Sequence, residues 1–205
     1  MRRLLHRCNS AVTYSADNRP SYAPGIALEL ERQVDEWYEY LPANIRFPKE
    51  TSKLRVDWID SLSNFLNVQY YCCKLSIYWP AVYQAVQDGA VNVHLRGHCQ
   101  RFIDSYVQLL PRICVAIDVC QIYKWTLSIT FFVTTLSALK VLDTPCLSSA
   151  SLDALRQCLS SAAVAAVDWK GTESSASLGI LQHTLNRRLQ DAAYQYIADP
   201  STSTS

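Results

Sequence analysis

Between Leu62 and Trp79 two helical stripes of apolar side chains overlap, and this overlap constrains the fold more than any other stretch. Leu62, Leu66, Tyr70, Cys73 and Ile77 form one stripe; Phe65, Val68, Cys72, Leu75 and Trp79 form the other. At ~100° per residue the two merge into an arc wider than half a helix. The polar remainder is narrow: Ser63, Asn64, Asn67, Tyr71 and Lys74. A helix this apolar must be covered on several sides. It is therefore expected to run through the middle of an all-α domain, from about Asp57 to Trp79. Pro80 is expected to kink it or to open a further helix, with Gly89 as the C-cap.

The flanking segments read as helices that could cover it. Leu30, Val34, Trp37, Tyr38 and Leu41 recur at helical spacing until Pro42, which lacks the N–H needed to continue. Ile45 and Phe47, between Pro42 and Pro48, are apolar anchors in a loop. Leu95, Cys99, Phe102, Ile103, Tyr106 and Leu110 form an amphipathic stripe that Pro111 is expected to bend or end. Ile113 to Leu142 is apolar, broken near Gln121 to Lys124. Ser149 or Ser151 can cap a helix that turns Leu152, Leu155, Leu159 and Ala166 inward. After a polar loop at Gly171 to Ser175, the last helix turns Leu178, Leu181, Leu185, Leu189 and Ala192 inward. The expected architecture is an irregular all-α bundle of about six to eight helices with no sheet. Residues 1–25 are expected to be irregular, 26–197 to form the (partial) helical domain, and 198–205 to be a disordered tail.

Composition narrows the functions. The 205 residues are 49% hydrophobic and 18% charged, enough for a sizeable core. The formal net charge is +1, without the basic surplus of a dedicated nucleic-acid-binding domain. Five glycines leave little room for hairpins or Gly-rich loops. The eight cysteines sit mostly in apolar runs, with Cys72 and Cys73 adjacent. That usage fits a reduced intracellular compartment, with Cys as a small hydrophobe. The basic N-terminus lacks the continuous apolar core of a secretory signal. Trp125 to Leu139 is uncharged but short of the ~20 residues that span a bilayer, so a buried helix is expected and no membrane.

No G-x-S-x-G, P-loop, G-x-G-x-x-G, H-E-x-x-H or C-x-x-C occurs, which argues against the common hydrolases, nucleotide enzymes and zinc folds. No catalytic, cofactor-binding or metal residue is assigned. Four weaker constellations stand out. His94 and His98, four apart, could share a helix face and a metal; without further ligands at clear spacing, a surface or capping role is favoured. Cys114 and Cys120 read as two core thiols. Asp118 lies in an apolar stretch and needs a partner, such as Arg112 or Lys124, or the surface; a polar cap on a kinked helix is the favoured alternative. Thr126, Thr130, Thr134 and Ser137 form a hydroxyl stripe that could line a small-molecule pocket; close helix packing is the alternative.

Several segments, in order, resemble one family. They are EWYEYLPANIRFP at Glu36 to Pro48 and LNVQYYCCKLSIYWPAVYQAV at Leu66 to Val86. CQRFIDSYVQLLPRI at Cys99 to Ile113 and YKWTLSITFFVTTLSALKV at Tyr123 to Val141 follow, with a fainter piece at Leu155 to Leu185. Together they resemble the regulatory (middle homology) domain of fungal binuclear zinc-cluster transcription factors, its C-terminal part, over about Glu29 to Tyr196.

The resemblance implies an all-α, non-enzymatic regulatory region of a nuclear regulator of RNA polymerase II transcription. It implies other transcription-regulator chains or the transcription machinery as partners, and a small-molecule effector in some relatives. The family's zinc belongs to a separate six-cysteine DNA-binding domain. No such cluster occurs in these residues, so no cofactor and no direct DNA contact are expected from this chain, which reads as a fragment or truncated form. Two other readings remain open: an all-α enzyme or hydrophobic-metabolite binder, and a stand-alone inhibitory interaction module.

Overall fold

The computed structural model describes residues 7–8, 11–14, 20–49, 61–147, 152–168 and 175–198. Two short strands, β1 (Val12–Tyr14) and β2 (Pro20–Tyr22), precede α1 (Pro24–Glu39), α2 (Ser61–Asp88) and α3 (Val93–Val119). A 3-10 turn at Gln121–Tyr123 leads into α4 (Lys124–Leu142). A second at Pro145–Leu147 precedes α5 (Leu152–Asp168) and α6 (Ser175–Ala198). The all-α class holds. The expectation of no sheet, with residues 1–25 irregular, is corrected by one antiparallel pairing, Val12 opposite Tyr22 and Tyr14 opposite Pro20. That pairing has few apolar residues to announce it. It is held from outside: the Tyr22 amide donates to Gln84 Oε1 of α2 at 2.9 Å, and the Tyr22 hydroxyl meets His98 Nδ1 of α3 at 2.8 Å.

The doubly striped segment is the central helix. Along α2 nearly every residue from Asn64 to Val82 is buried or half-buried. Part of the sequence reading of this helix is corrected. Asn64, Asn67 and Tyr71, expected on a narrow polar side, are buried, while Leu62 is 45% exposed. For Asn67 and Tyr71 the reason is Arg112 of α3, itself buried, which gives them a partner. Its Nε donates to Asn67 Oδ1 at 3.0 Å, and its guanidinium lies 4.3 Å from the Tyr71 ring centroid. The buried Asn64 Nδ2 has no hydrogen-bond partner among the described residues. The expected start of this helix near Asp57 lies outside the described residues, as do the cap at Ser149 or Ser151, the 171–174 part of the polar loop and the tail at 199–205. The Ala192 side chain is likewise outside them.

Neither proline ends its helix. Pro80 sits inside α2 and Pro111 inside α3, each removing one backbone donor. Packing on several sides outweighs a loss of about 3 kcal/mol. Gly89 closes α2 with φ of +61°, the left-handed C-cap geometry that glycine adopts without strain. Asn92 caps α3, accepting from the Leu95 amide at 2.8 Å.

Contacts at both ends set the direction of α2 relative to α4. Phe65, early in α2, stacks on Tyr123, just before α4, with centroids 4.0 Å apart. Ala85, late in α2, accepts from the Cys146 thiol just past α4 at 3.6 Å. The two helices thus run parallel, with the antiparallel α3 between them in sequence. Leu155 and Leu159 of α5 and Leu181 and Leu185 of α6 are fully buried. Each is worth roughly 1.5–3 kcal/mol in apolar transfer.

A groove between α2 and α4

The two parallel helices leave a groove of about 610 Å³ between them. From α2 it is walled by Gln69, Cys72, Leu75, Ser76, Trp79 and Pro80. From α4 come Thr126, Ile129, Thr130, Val133, Thr134 and Ser137, and α3 contributes Phe102. Both sets follow helical spacing, so each helix presents one continuous face. All four hydroxyl residues singled out in the sequence lie on this wall. The opposite face of α4 holds Leu127, Phe131, Thr135 and Ala138 in the core, and the Tyr106 hydroxyl and Thr135 Oγ1 are 3.0 Å apart. By length and composition alone, α4 is also long and apolar enough to cross a membrane.

The polar groups of the groove have a definite polarity. Thr130 Oγ1 donates to the Thr126 carbonyl at 2.8 Å, Thr134 Oγ1 to the Thr130 carbonyl at 2.8 Å, and Ser137 Oγ to the Val133 carbonyl at 3.0 Å. Their protons are committed to their own helix, which leaves lone pairs for the groove. Pro80 has no N–H to give the carbonyl of Ser76, four residues earlier. Gln69 is only 9% exposed, and its side chain makes no hydrogen bond to any described residue. Nothing in its residue type marked it in the sequence; only the facing of α2 and α4 does. The described lining contains no acid, base or His. Burial pushes the Cys72 thiol up to about 12, so at neutral pH it is neutral and unreactive.

The other constellations fall elsewhere. His98 is taken up by Tyr22, and its ring lies 5.6 Å from that of Tyr78. His94 is exposed. Among the described residues no three His, Cys, Asp or Glu side chains come together as a metal site. Cys120 donates to the Ser61 carbonyl at 2.9 Å, whereas Cys114 faces a second cavity of about 320 Å³ with Cys158 of α5. Asp118, near the end of α3, is exposed. Arg187 and Arg188 are exposed, and Arg188 pairs with Asp143 at 3.4 Å.

Missed by the sequence reading is a polar seam where α1 meets α2 and α3. Glu31 accepts from the Tyr78 hydroxyl at 2.6 Å and pairs with Arg101 and with Lys74 at 3.5 Å. Asp35, one turn on, accepts from the Tyr70 hydroxyl and pairs with Lys74 at 3.1 Å. The only signal in the sequence is the i, i+4 spacing of two acids on one amphipathic helix.

The chain is similar to a protein of Aspergillus rugulosus named "Putative transcription factor ecdB", 59% identical over 196 residues. The match covers 94% of this chain but only 36% of the length of that relative. No family model and no solved structure matches the chain.

Proposed function

We propose that these residues form the helical regulatory region of a fungal zinc-cluster type transcription regulator acting in RNA polymerase II transcription in the nucleus. The observation that carries this reading is the 59% identity, along nearly the whole chain, to a protein named as a transcription factor. The ordered motifs from Glu36 to Leu185 support the finer family assignment. In this reading the region is not an enzyme. It works through contacts with other regulator chains or the transcription machinery, and the α2–α4 groove is its effector site. The lining supports binding over chemistry, since it presents no acid, base or thiolate. Zinc and direct DNA contacts belong to a separate domain of the family, because these residues contain no C-x-x-C.

Two measurements test it. The 205-residue chain alone should give no sequence-selective gel shift on DNA. Placed between a heterologous DNA-binding domain and an activation segment in a fungal host, it should lower reporter output at least threefold relative to the fusion without it. A selective shift would remove the division of labour, and an unchanged reporter would remove the regulatory reading. A stand-alone interaction module has one observation in its favour: Trp125, Ile129, Val133 and Leu136 are each more than a third exposed along α4. A monomer on gel filtration with a sharp melting transition would count against that alternative.

A further inference from the structure

We infer that the α2–α4 groove takes a neutral, elongated, largely apolar small molecule with one hydrogen-bonding head group, seated on Gln69. The inference rests on the reading of the groove as an effector site and adds to it the chemistry of the ligand. A volume of about 610 Å³ suits a drug-sized molecule, since such pockets run roughly 300–1,000 Å³. Length follows from the helix: Gln69 to Pro80 spans roughly 16 Å at ~1.5 Å per residue. Leu75, Trp79, Phe102, Ile129 and Val133 supply the apolar walls.

The head group follows from what the walls lack. Gln69 carries two donors and an acceptor, is nine-tenths buried, and pairs with no described residue. Its amide atoms open to the groove instead of being sealed in the core. A ligand group offering both a donor and an acceptor can meet them, and a primary amide does so in the geometry of an amide pair. Beyond Gln69 the walls both accept and donate: the lone pairs of Thr130, Thr134 and Ser137 and the Ser76 carbonyl that Pro80 leaves without its helical donor can accept, and the Ser76 and Thr126 hydroxyls and the Trp79 indole N–H can donate. A carboxylate meets a penalty here, because no cation among the described lining residues offsets its desolvation. Because α2 and α4 run parallel, Thr126 lies at the Gln69 end and Ser137 at the Trp79 end. The head is thus placed toward the start of both helices. The neutral Cys72 thiol makes the association reversible, with no bond formed to the protein.

Three probes of equal chain length separate the terms: decanamide, decanoate and methyl decanoate, titrated calorimetrically into the full chain. Decanamide should bind and raise the melting temperature. Decanoate and the ester, which lacks a donor, should each bind at least tenfold more weakly. Gln69→Leu should weaken decanamide at least tenfold while leaving the ester unchanged. Val133→Trp, at a position 52% exposed and so tolerant of bulk, should abolish binding of all three without lowering the melting temperature of the free chain. If Val133→Trp blocks binding but decanoate matches decanamide, or Gln69→Leu binds both equally well, the head-group assignment fails and the groove stands. If no probe binds, or Val133→Trp binds as the parent does, the groove reading itself fails.

Discussion

At the scale of single residues, buried polar groups carry the specificity of the packing. Asn67 is 1% exposed and accepts from Arg112 Nε, the kind of charge-assisted bond worth ~1.5–3 kcal/mol. Asn67→Leu keeps the volume but removes the acceptor. It should destabilise the chain by about 2 kcal/mol in urea unfolding, and a loss below ~0.5 kcal/mol would show that Arg112 finds equivalent partners elsewhere. His98 gives a pH dependence. Burial, reinforced by the neighbouring Arg101 and opposed by Glu31, holds its imidazole below the usual 6.5. The unfolded chain therefore takes up the proton first as pH falls. Stability from this group is complete above 6.5 and is lost between 6.5 and the lower folded value. Melting temperature should drop more between pH 7.5 and 5.0 in the parent than in His98→Gln. Equal drops would place the acid sensitivity in other groups.

At the scale of elements, two glycines make opposite predictions from the same chemistry. Gly89 holds φ of +61° at the end of α2, where a β-carbon costs about 1 kcal/mol or more even in open space. Gly97 lies within α3, and a β-carbon there would meet nothing within 4 Å. Gly89→Ala should lower the melting temperature by ~2–4 °C, and Gly97→Ala should raise stability by roughly 0.5–1 kcal/mol; thermal melts of the two variants decide. The Gly89 cap was legible in the sequence, because it depends on local backbone geometry alone. So was the hydroxyl stripe, since Thr126, Thr130, Thr134 and Ser137 share a face of any helix. The continuity of α2 and α3 through Pro80 and Pro111 was not, because tertiary burial outweighs one lost hydrogen bond. Gln69 was not legible as part of the groove, since its position depends on α2 running beside α4. Asn67 and Tyr71 misled for the same reason: their partner Arg112 sits on α3, some 45 residues away in the case of Asn67.

At the scale of the whole molecule, the thiols report on how tightly the bundle is closed. Cys120 and Cys146 fasten opposite ends of α2, to the Ser61 and Ala85 carbonyls. Cys72 faces the groove, and Cys114 and Cys158 share the cavity between α3 and α5. Burial pushes the thiols of Cys72, Cys99, Cys114 and Cys158 up to about 12. At pH 8 each is then about one part in ten thousand thiolate, the form that reacts. Modification of Cys99, sealed in the core, has to pass through opening of the helices, so its rate measures the free energy of that opening, whereas Cys72, Cys114 and Cys158 line cavities that a reagent can also enter from outside. With a disulfide reagent at pH 8, all eight cysteines should react within the mixing time in urea. In buffer these four should react at least a hundredfold more slowly, and all at a similar rate if the bundle opens as one unit. If Cys114 and Cys158 react first while Cys72 and Cys99 stay protected, α5 and α6 detach before the α2–α3–α4 core, and the groove belongs to the more stable part. If Cys72 reacts fast in the native chain while Cys99 stays protected, the reagent reaches it through the groove, and the packing of the central helix stands.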